Sequence, residues 1–250
     1  MKKTLMTILV SGLMLASCSK QEVSDNPLLQ KWDTPFETAP FEKIKVEHYL
    51  PAFEAAIAEH NKEIQAIIDN AEAPTFDNTI AALDYSGETL SKVAGVFFNM
   101  MAANTSEELQ KVNEKVGPLM ATHSDNVSMN AKLFEKIKAV YDAKDSQKYT
   151  GEQLALLEKT YNKFVRSGAL LDAAKQEELR KVNAELTKVE AKFDANLLKE
   201  TKAYQLVVEK EEDLKGLPQG EKEKAAALAK SEGKEGKWIF TLDNPSFMPF

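Results

Sequence analysis

The chemistry open to this 250-residue chain depends first on its three histidines, His48, His60 and His123. A catalytic zinc ion needs three protein ligands that converge on one point, and the HExxH motif does not occur here. His60 and Glu63 come nearest, because residues three apart share one face of a helix. Without a second histidine nearby, we interpret them as a helix-surface pair, and His48 and His123 as structural or solvated. We therefore predict no metal ligand and no catalytic residue in this chain.

Other catalytic motifs are also missing from the sequence. It contains no GxSxG, no P-loop and no GxGxxG. Carboxylates are abundant, but none stands apart as an acid–base pair. Phe97, Phe98, Met100 and Met101 form a cluster that could line a peptide groove. Since such clusters at helical spacing more often belong to a core, we favour core packing.

Cys18 has a different chemistry, because it follows Leu15, Ala16 and Ser17 in a pattern that resembles a bacterial lipobox. Two lysines and an apolar run of about a dozen residues precede it, which is too short to span a bilayer. We predict a signal peptide over residues 1–17 and lipidation of Cys18, with several acyl chains giving stable anchoring. An ordinary signal peptide with a chance cysteine is the alternative.

Composition limits the class of protein further. The formal net charge is −7 at pH 7 and no basic cluster occurs, which argues against nucleic acid as a partner. A single cysteine excludes an intramolecular disulfide, so the fold must be held by its core. Glycine and proline are scarce, whereas alanine, leucine, glutamate and lysine are abundant, and this composition favours helices.

Hydrophobic spacing predicts a helical region over residues 41–203. The predicted helices cover about 46–70, 77–103, a third segment that ends near 126, 131–143, a fifth that ends near 166, and 172–201. Thr105 with Glu108 and Thr150 with Gln153 read as capping boxes that open the third and fifth helices.

We also predict how side chains pack in the tether and in the fifth and sixth helices. Residues 18–40 read as the lipidated cysteine and a tether, in which Trp32 and Phe36 pack against the body. The fifth helix is expected to pack through an inward row that includes Leu154. The sixth helix carries a near-heptad apolar seam through Leu186 and Val189, with a solvated charged face.

Residues 204–250 follow a different pattern. Residues 204–208 are rich in β-branched side chains, and large apolar side chains stand at every second position in Trp238, Phe240 and Leu242, so both segments read as strands. The charged stretches between them are helical in character, which predicts a two-stranded ribbon with a helical insert. Three of the last four residues are large and apolar, whereas native C-termini usually end polar or docked. We therefore interpret the sequence as cut short before a further domain.

Several short segments, in this order, resemble one enzyme family. They include Asn26-Pro27-Leu28-Leu29, residues 44–53 (IKVEHYLPAF), residues 74–80 (PTFDNTI), residues 96–99 (VFFN) and residues 238–246 (WIFTLDNPS). Together they resemble the N-terminal region of the peptidyl-dipeptidase (dipeptidyl carboxypeptidase) and oligopeptidase A group of thimet-oligopeptidase-like zinc metallopeptidases. The resemblance covers residues 26–250.

The resemblance implies a mostly α fold: the multi-helix N-terminal half of an ellipsoid split by a deep channel, with a short β ribbon near the C-terminus. It also implies short peptide substrates and a zinc cofactor held by an HExxH helix in the C-terminal half. There the motif's glutamate would activate a zinc-bound water. No residue here matches a catalytic or metal-binding position, so none is carried over, and the chain alone is expected to be inactive.

Two other functions stay open at this point. One is a non-catalytic helical lipoprotein that binds peptides or an envelope partner, and the other is a structural lipoprotein that crosslinks the envelope through its sixth helix. Dipeptide release and internal cleavage are likewise not separated by the residues. The lipobox predicts the same location for all of these functions, the cell envelope of a Gram-negative bacterium. There the lipid anchor would hold the protein facing the periplasm or in the outer membrane.

Overall fold

The structure, a computed structural model, describes residues 25–249. The predicted signal peptide, the lipobox with Cys18 and the beginning of the tether lie outside the described residues. The chain divides into two compact units, one that ends at Thr187 and one that begins at Lys188. Helices dominate the described part and a two-stranded sheet lies near the C-terminus, which confirms the predicted mostly α class.

The first unit is built from helices joined by short connections. Its long helices pair apolar stripes at three- and four-residue spacing with polar outer faces, as predicted. The helices are α1 (Val46–Asp69), α2 (Ala82–Tyr85), α3 (Glu88–Ala103), α4 (Glu107–Ser128), α5 (Ala131–Asp142), α6 (Gly151–Arg166) and α7 (Ala173–Ala203), which continues past Thr187; a π-helical segment (Phe76–Ala81) runs into α2, and 3₁₀ turns cover Pro35–Glu37 and Lys144–Ser146.

The predicted helix over residues 77–103 is not continuous. It stops after Tyr85 and begins again at Glu88, because Gly87 adopts a left-handed conformation with φ of 75° at the N-cap of α3. Ser86 reinforces the break by donating its hydroxyl hydrogen to the Leu83 carbonyl at 2.7 Å. Glycine adopts this conformation without the steric cost that a side chain would bring.

One capping prediction is confirmed and one is wrong. At the start of α6, the Thr150 hydroxyl accepts the Gln153 N–H at 3.2 Å and the Gln153 side chain accepts the Thr150 N–H at 3.0 Å. At the start of α4 the cap is Ser106, whose hydroxyl accepts the Leu109 N–H. The prediction of a Thr105 box was therefore one residue early.

The first core of this unit lies between α1, α3 and α4. Phe53 and Phe97 are fully buried and meet edge to face, with ring centroids 5.5 Å apart. Met100 and Met101 are partly buried against the same cluster, whereas Phe98 is 44% exposed. The structure therefore favours the predicted core role for this cluster over a groove.

A second core joins α1 to the π-helical segment, α5 and α6. Its fully buried members include Ile80, Leu133, Ile137 and Leu157. Leu154, which was predicted to point inward, is 38% exposed instead. It lies three residues before Leu157, at the solvent-exposed edge of the apolar stripe of α6.

Of the two aromatic side chains predicted to pack in the tether, one is packed and one is exposed. Trp32 packs against the first core, and its indole N–H donates to the Pro27 carbonyl at 2.9 Å. Phe36 was predicted to pack as well, but its side chain is 99% exposed. It sits in the 3₁₀ turn Pro35–Glu37 with a positive φ of 57°, and this turn presents the ring to solvent.

Helix α7 buries none of its side chains. The seam predicted for it is largely exposed to solvent; the residues that are more than half exposed are Val182, Leu186, Val189, Phe193 and Leu197. Among the described residues, none of the helices combines the length and the apolar character that crossing a bilayer would require.

The second unit contains the predicted ribbon. Strands β1 (Leu206–Val208) and β2 (Trp238–Phe240) pair antiparallel, with Val207 opposite Ile239. Between them lie a 3₁₀ turn (Glu211–Leu214) and helix α8 (Gln219–Ser231), and α9 (Asn244–Phe247) follows β2. Leu214, Ala225 and Phe240 form the small core that lets two short strands persist.

Candidate functional site

The first of the three histidines has a local structural role. His48 lies in the first turn of α1, and its Nδ1 atom accepts the backbone N–H of Lys45 at 3.0 Å. This bond satisfies one of the amide groups that a helix start leaves free. The structure thus agrees with the interpretation of His48 as structural.

The other two histidines meet, although they are 63 residues apart in sequence. His123 on α4 and His60 on α1 are joined between Nε2 of His123 and Nδ1 of His60 at 2.9 Å, with ring centroids 4.9 Å apart. His123 is only 6% exposed. The prediction that His60 forms a helix-surface pair with Glu63 is wrong, because α4 brings the second histidine that the sequence spacing did not reveal.

Ser86 defines the protonation pattern of this pair. Its hydroxyl has one hydrogen, which it donates to the Leu83 carbonyl, so toward His60 it can only accept. Nε2 of His60, 3.1 Å from the hydroxyl oxygen, must therefore carry the hydrogen. In the neutral ring this leaves a lone pair on Nδ1 of His60, which accepts Nε2–H of His123.

Glu63 ties the same region to the break between α2 and α3. Its Oε2 atom accepts the Gly87 N–H at 2.7 Å. Gly87 lies so close to the imidazole that a Cβ atom at this position would be 3.0 Å from Cε1 and Nδ1 of His60. The glycine thus permits both the turn and the position of the ring.

The environment favours neutral rings. Burial lowers the pKa of His60, an effect that the charge of Glu63 partly opposes. Burial also lowers the pKa of His123, and the neighbouring His60 lowers it further. Because both pKa values lie below the ordinary histidine value of about 6.5, the neutral form of each ring is the major one at pH 7.

The pair borders a cavity of about 370 Å³ between α1, α4 and α6. Ser124, Thr160 and Lys163 contribute polar groups to its wall, and Met120 and Phe164 contribute apolar surface. A cavity of this size and mixed lining can hold water or a small polar ligand.

Ser86 and His60 are the residue types of a nucleophile and its general base, but their hydrogen bonds run in the wrong direction for that role. A general base would have to accept the serine hydrogen on an imidazole lone pair. Here that hydrogen is committed to Leu83, and the imidazole donates to the serine. The contact therefore positions the imidazole and does not activate the hydroxyl.

The described residues do not supply the zinc site that the family resemblance implies. Between residues 25 and 249, three or more His, Cys, Asp or Glu side chains do not come together in a way that could hold a metal ion. A catalytic zinc ion takes three protein ligands, whereas His60 and His123 supply two. No catalytic step is assigned to these residues.

A signal for this site was present in the sequence. His60 continues the buried stripe of α1, following Phe53 and Ile57 at spacings of four and three. His123 follows Val116 and lies on the buried face of α4 in the same manner. Two histidines on inward faces of neighbouring helices would have indicated a buried pair.

Comparison with known proteins places these features in a family. The sequence model of the neurolysin/thimet oligopeptidase N-terminal domain matches residues 53–177, half of the chain. The chain is 35% identical over 227 residues to the dipeptidyl carboxypeptidase of Salmonella typhimurium, covering 91% of this chain and 33% of that protein. It is 34% identical to the dipeptidyl carboxypeptidase of Escherichia coli, covering 90% of this chain and 33% of the relative.

Oligopeptidase A is a more distant relative. The protein of that name from Haemophilus influenzae is 28% identical over 224 residues, covering 90% of this chain and 32% of its own length. The chain thus spans about a third of the length of the curated relatives that it matches. From the matched domain and these relatives, the chain belongs to the neurolysin/thimet oligopeptidase family and contains its N-terminal domain.

Proposed function

We propose that this chain is the N-terminal portion of a lipid-anchored zinc metallopeptidase that hydrolyses short oligopeptides and releases C-terminal dipeptides. The observation that carries the proposal is the match to two dipeptidyl carboxypeptidases at 35% and 34% identity over about nine tenths of the chain. The oligopeptidase A sequence is 28% identical over a similar length. This difference favours dipeptide release over internal cleavage.

The zinc ligands belong, in this proposal, to sequence that corresponds to the remaining two thirds of the relatives. The described residues of this chain contribute helical scaffold, and its two buried cores give that scaffold stability of its own. The bound metal would polarise the scissile carbonyl and activate water. The 250-residue chain by itself is therefore expected to have no peptidase activity.

The direct test uses the natural polypeptide, captured from its cells with antibodies against residues 41–203. We expect it to shorten a peptide two residues at a time from the C-terminus, as followed by mass spectrometry. A chelator should abolish the activity and zinc should restore it. The same peptide with an amidated C-terminus separates the two specificities, because an endopeptidase still cleaves it internally.

The 250-residue chain, produced alone, is the matched control and should leave both peptides intact. The proposal fails if the natural polypeptide is free of peptidase activity, or if the isolated chain hydrolyses peptides at a comparable rate.

The lipid anchor is tested separately through Cys18. The thiol is the group that would receive the lipid, so Cys18→Ser should move the protein from the membrane fraction to the soluble fraction. Mass spectrometry should show the acyl chains on the unsubstituted protein alone. A Cys18→Ser protein that stays in the membrane fraction would contradict the anchor without affecting the peptidase proposal.

A further inference from the structure

The spacing of the facing nitrogens of His60 and His123 suits a metal ion as well as a hydrogen bond. Two imidazole nitrogens bound to one cation at about 2.0–2.1 Å in neighbouring coordination positions lie roughly 3 Å apart. Nδ1 of His60 and Nε2 of His123 are 2.9 Å apart. A cation can therefore take the place of the shared hydrogen once each ring turns so that its lone pair points to a position beside the line that joins the two nitrogens.

The hydrogen bond on the other ring nitrogen of His60 is also typical of a metal ligand. Imidazoles that bind metals usually donate their other ring N–H to a nearby acceptor, and this bond fixes the tautomer and the ring orientation. Nε2–H of His60 donates to Ser86, whose own hydrogen is anchored on Leu83. The lone pair on Nδ1 of His60 is thereby held toward His123.

Burial keeps the His60 ring neutral, so that Nδ1 offers a lone pair to a cation. The carboxylate of Glu63 partly opposes this effect by favouring positive charge at the ring. The adjoining cavity of about 370 Å³ leaves room for water molecules to complete the coordination shell, and its wall carries one acidic residue, Asp84, and one basic residue, Lys163. The affinity of two imidazole ligands should follow the general order for divalent first-row cations, in which Cu²⁺ exceeds Ni²⁺ and Zn²⁺.

We propose that His60 and His123 form a two-imidazole site for a late first-row divalent cation, with Cu²⁺ bound most tightly. On binding, His123 moves its hydrogen from Nε2 to Nδ1, so that both facing nitrogens present lone pairs and no proton leaves the protein. Nε2–H of His60 stays on Ser86. The cation site does not depend on the proposed peptidase function.

The test is titration of the full 250-residue chain with Cu²⁺, with the double variant His60→Gln/His123→Gln measured in parallel to account for weakly held surface copper. We expect one Cu²⁺ per chain, with electron paramagnetic resonance showing coupling to two nitrogen nuclei from the protein. His60→Gln and His123→Gln should each lower the affinity at least about tenfold. His48→Gln is the matched control and should bind like the unsubstituted chain.

Ser86→Ala keeps both imidazoles and should weaken binding by roughly tenfold, while Ser86→Thr, which retains a hydroxyl, should restore it. Circular dichroism without metal will show whether the histidine variants fold. If they do not fold, the two Ser86 variants test the copper site in their place. The proposal is overturned if the unsubstituted chain binds no more Cu²⁺ than the double variant His60→Gln/His123→Gln. It is also overturned if the bound copper couples to fewer than two nitrogens, or if folded His60→Gln and His123→Gln proteins bind as before.

Discussion

The backbone N–H of Gly87 donates to Oε2 of Glu63 at 2.7 Å, and this bond connects the interruption before α3 to the middle of α1. Gly87 has a φ of 75°, and its α-carbon faces the His60 ring so closely that no side chain fits without movement. Backbone conformation and imidazole position are therefore coupled at this point, and a substitution here affects both.

Gly87→Ala should lower the free energy of unfolding by about 1–3 kcal/mol, because it adds left-handed strain and a clash with His60. Gly95→Ala is the matched control, since a Cβ at this exposed position in the middle of α3 meets nothing within 4 Å. That change should stabilise by roughly 0.5–1 kcal/mol. Urea unfolding followed by circular dichroism measures both, and equal effects of the two substitutions would contradict the structural role of Gly87.

The histidine pair predicts how stability depends on pH. The pKa values of His60 and His123 are lowered in the folded protein, mainly by burial, so the unfolded chain binds protons that the folded chain does not. Stability is then fully present above the unfolded pKa of about 6.5 and is lost as the pH falls below it toward the folded values.

Urea unfolding between pH 8 and pH 5 should show this decline, and the double variant His60→Gln/His123→Gln should show a smaller one. His48→Gln, which changes a histidine outside the pair, should retain the decline of the unsubstituted protein. A double variant as sensitive to acid as the unsubstituted protein would assign the decline to other groups.

Two leucines of α6 differ in burial and should therefore differ in how much they stabilise the fold. Leu157 is fully buried in the second core, so Leu157→Ala should cost about 2–5 kcal/mol through lost contacts and a residual cavity. Leu154, three residues earlier, is 38% exposed, and Leu154→Ala should cost less than about 1 kcal/mol. Thermal and urea unfolding measure the loss of stability in both variants. Similar losses would contradict the orientation of α6, in which Leu157 faces the core and Leu154 lies at its exposed edge.

The apolar row of α7 should bind a hydrophobic dye, because five large side chains are more than half exposed along it. Leu186→Glu combined with Val189→Glu should reduce the dye fluorescence of the 250-residue chain without loss of helix content. Lys188→Glu, at an exposed position between them, is the control for the change in charge. Dye binding that persists unchanged in the double variant would locate the accessible apolar surface elsewhere.

The same double variant tests the alternative of a structural lipoprotein that crosslinks the envelope. That alternative predicts self-association of the unsubstituted chain in analytical ultracentrifugation, and its loss when Leu186 and Val189 become charged. The proposed peptidase function does not require self-association through α7. Concentration-independent monomers would therefore count against the crosslinking function alone.

Much of the fold follows from local patterns in the sequence. Apolar spacing placed most of the helices within a few residues of their observed bounds, and the hydroxyl of Thr150 with the side chain of Gln153 marked the start of α6. Alternation around Trp238 and Phe240 predicted the ribbon. These features depend on backbone hydrogen bonds and on which face of an element is apolar, and both are encoded by neighbouring residues.

The sequence by itself thus determined the helical class and the helices that carry His60 and His123. Only the tertiary structure decided that these helices cross where the two rings meet, that Gly87 interrupts a helical pattern, and that Phe36 and Leu154 face solvent. The physical reason is that spacing along a chain specifies a face but not its partner. The partner is selected by packing between helices that are distant in sequence.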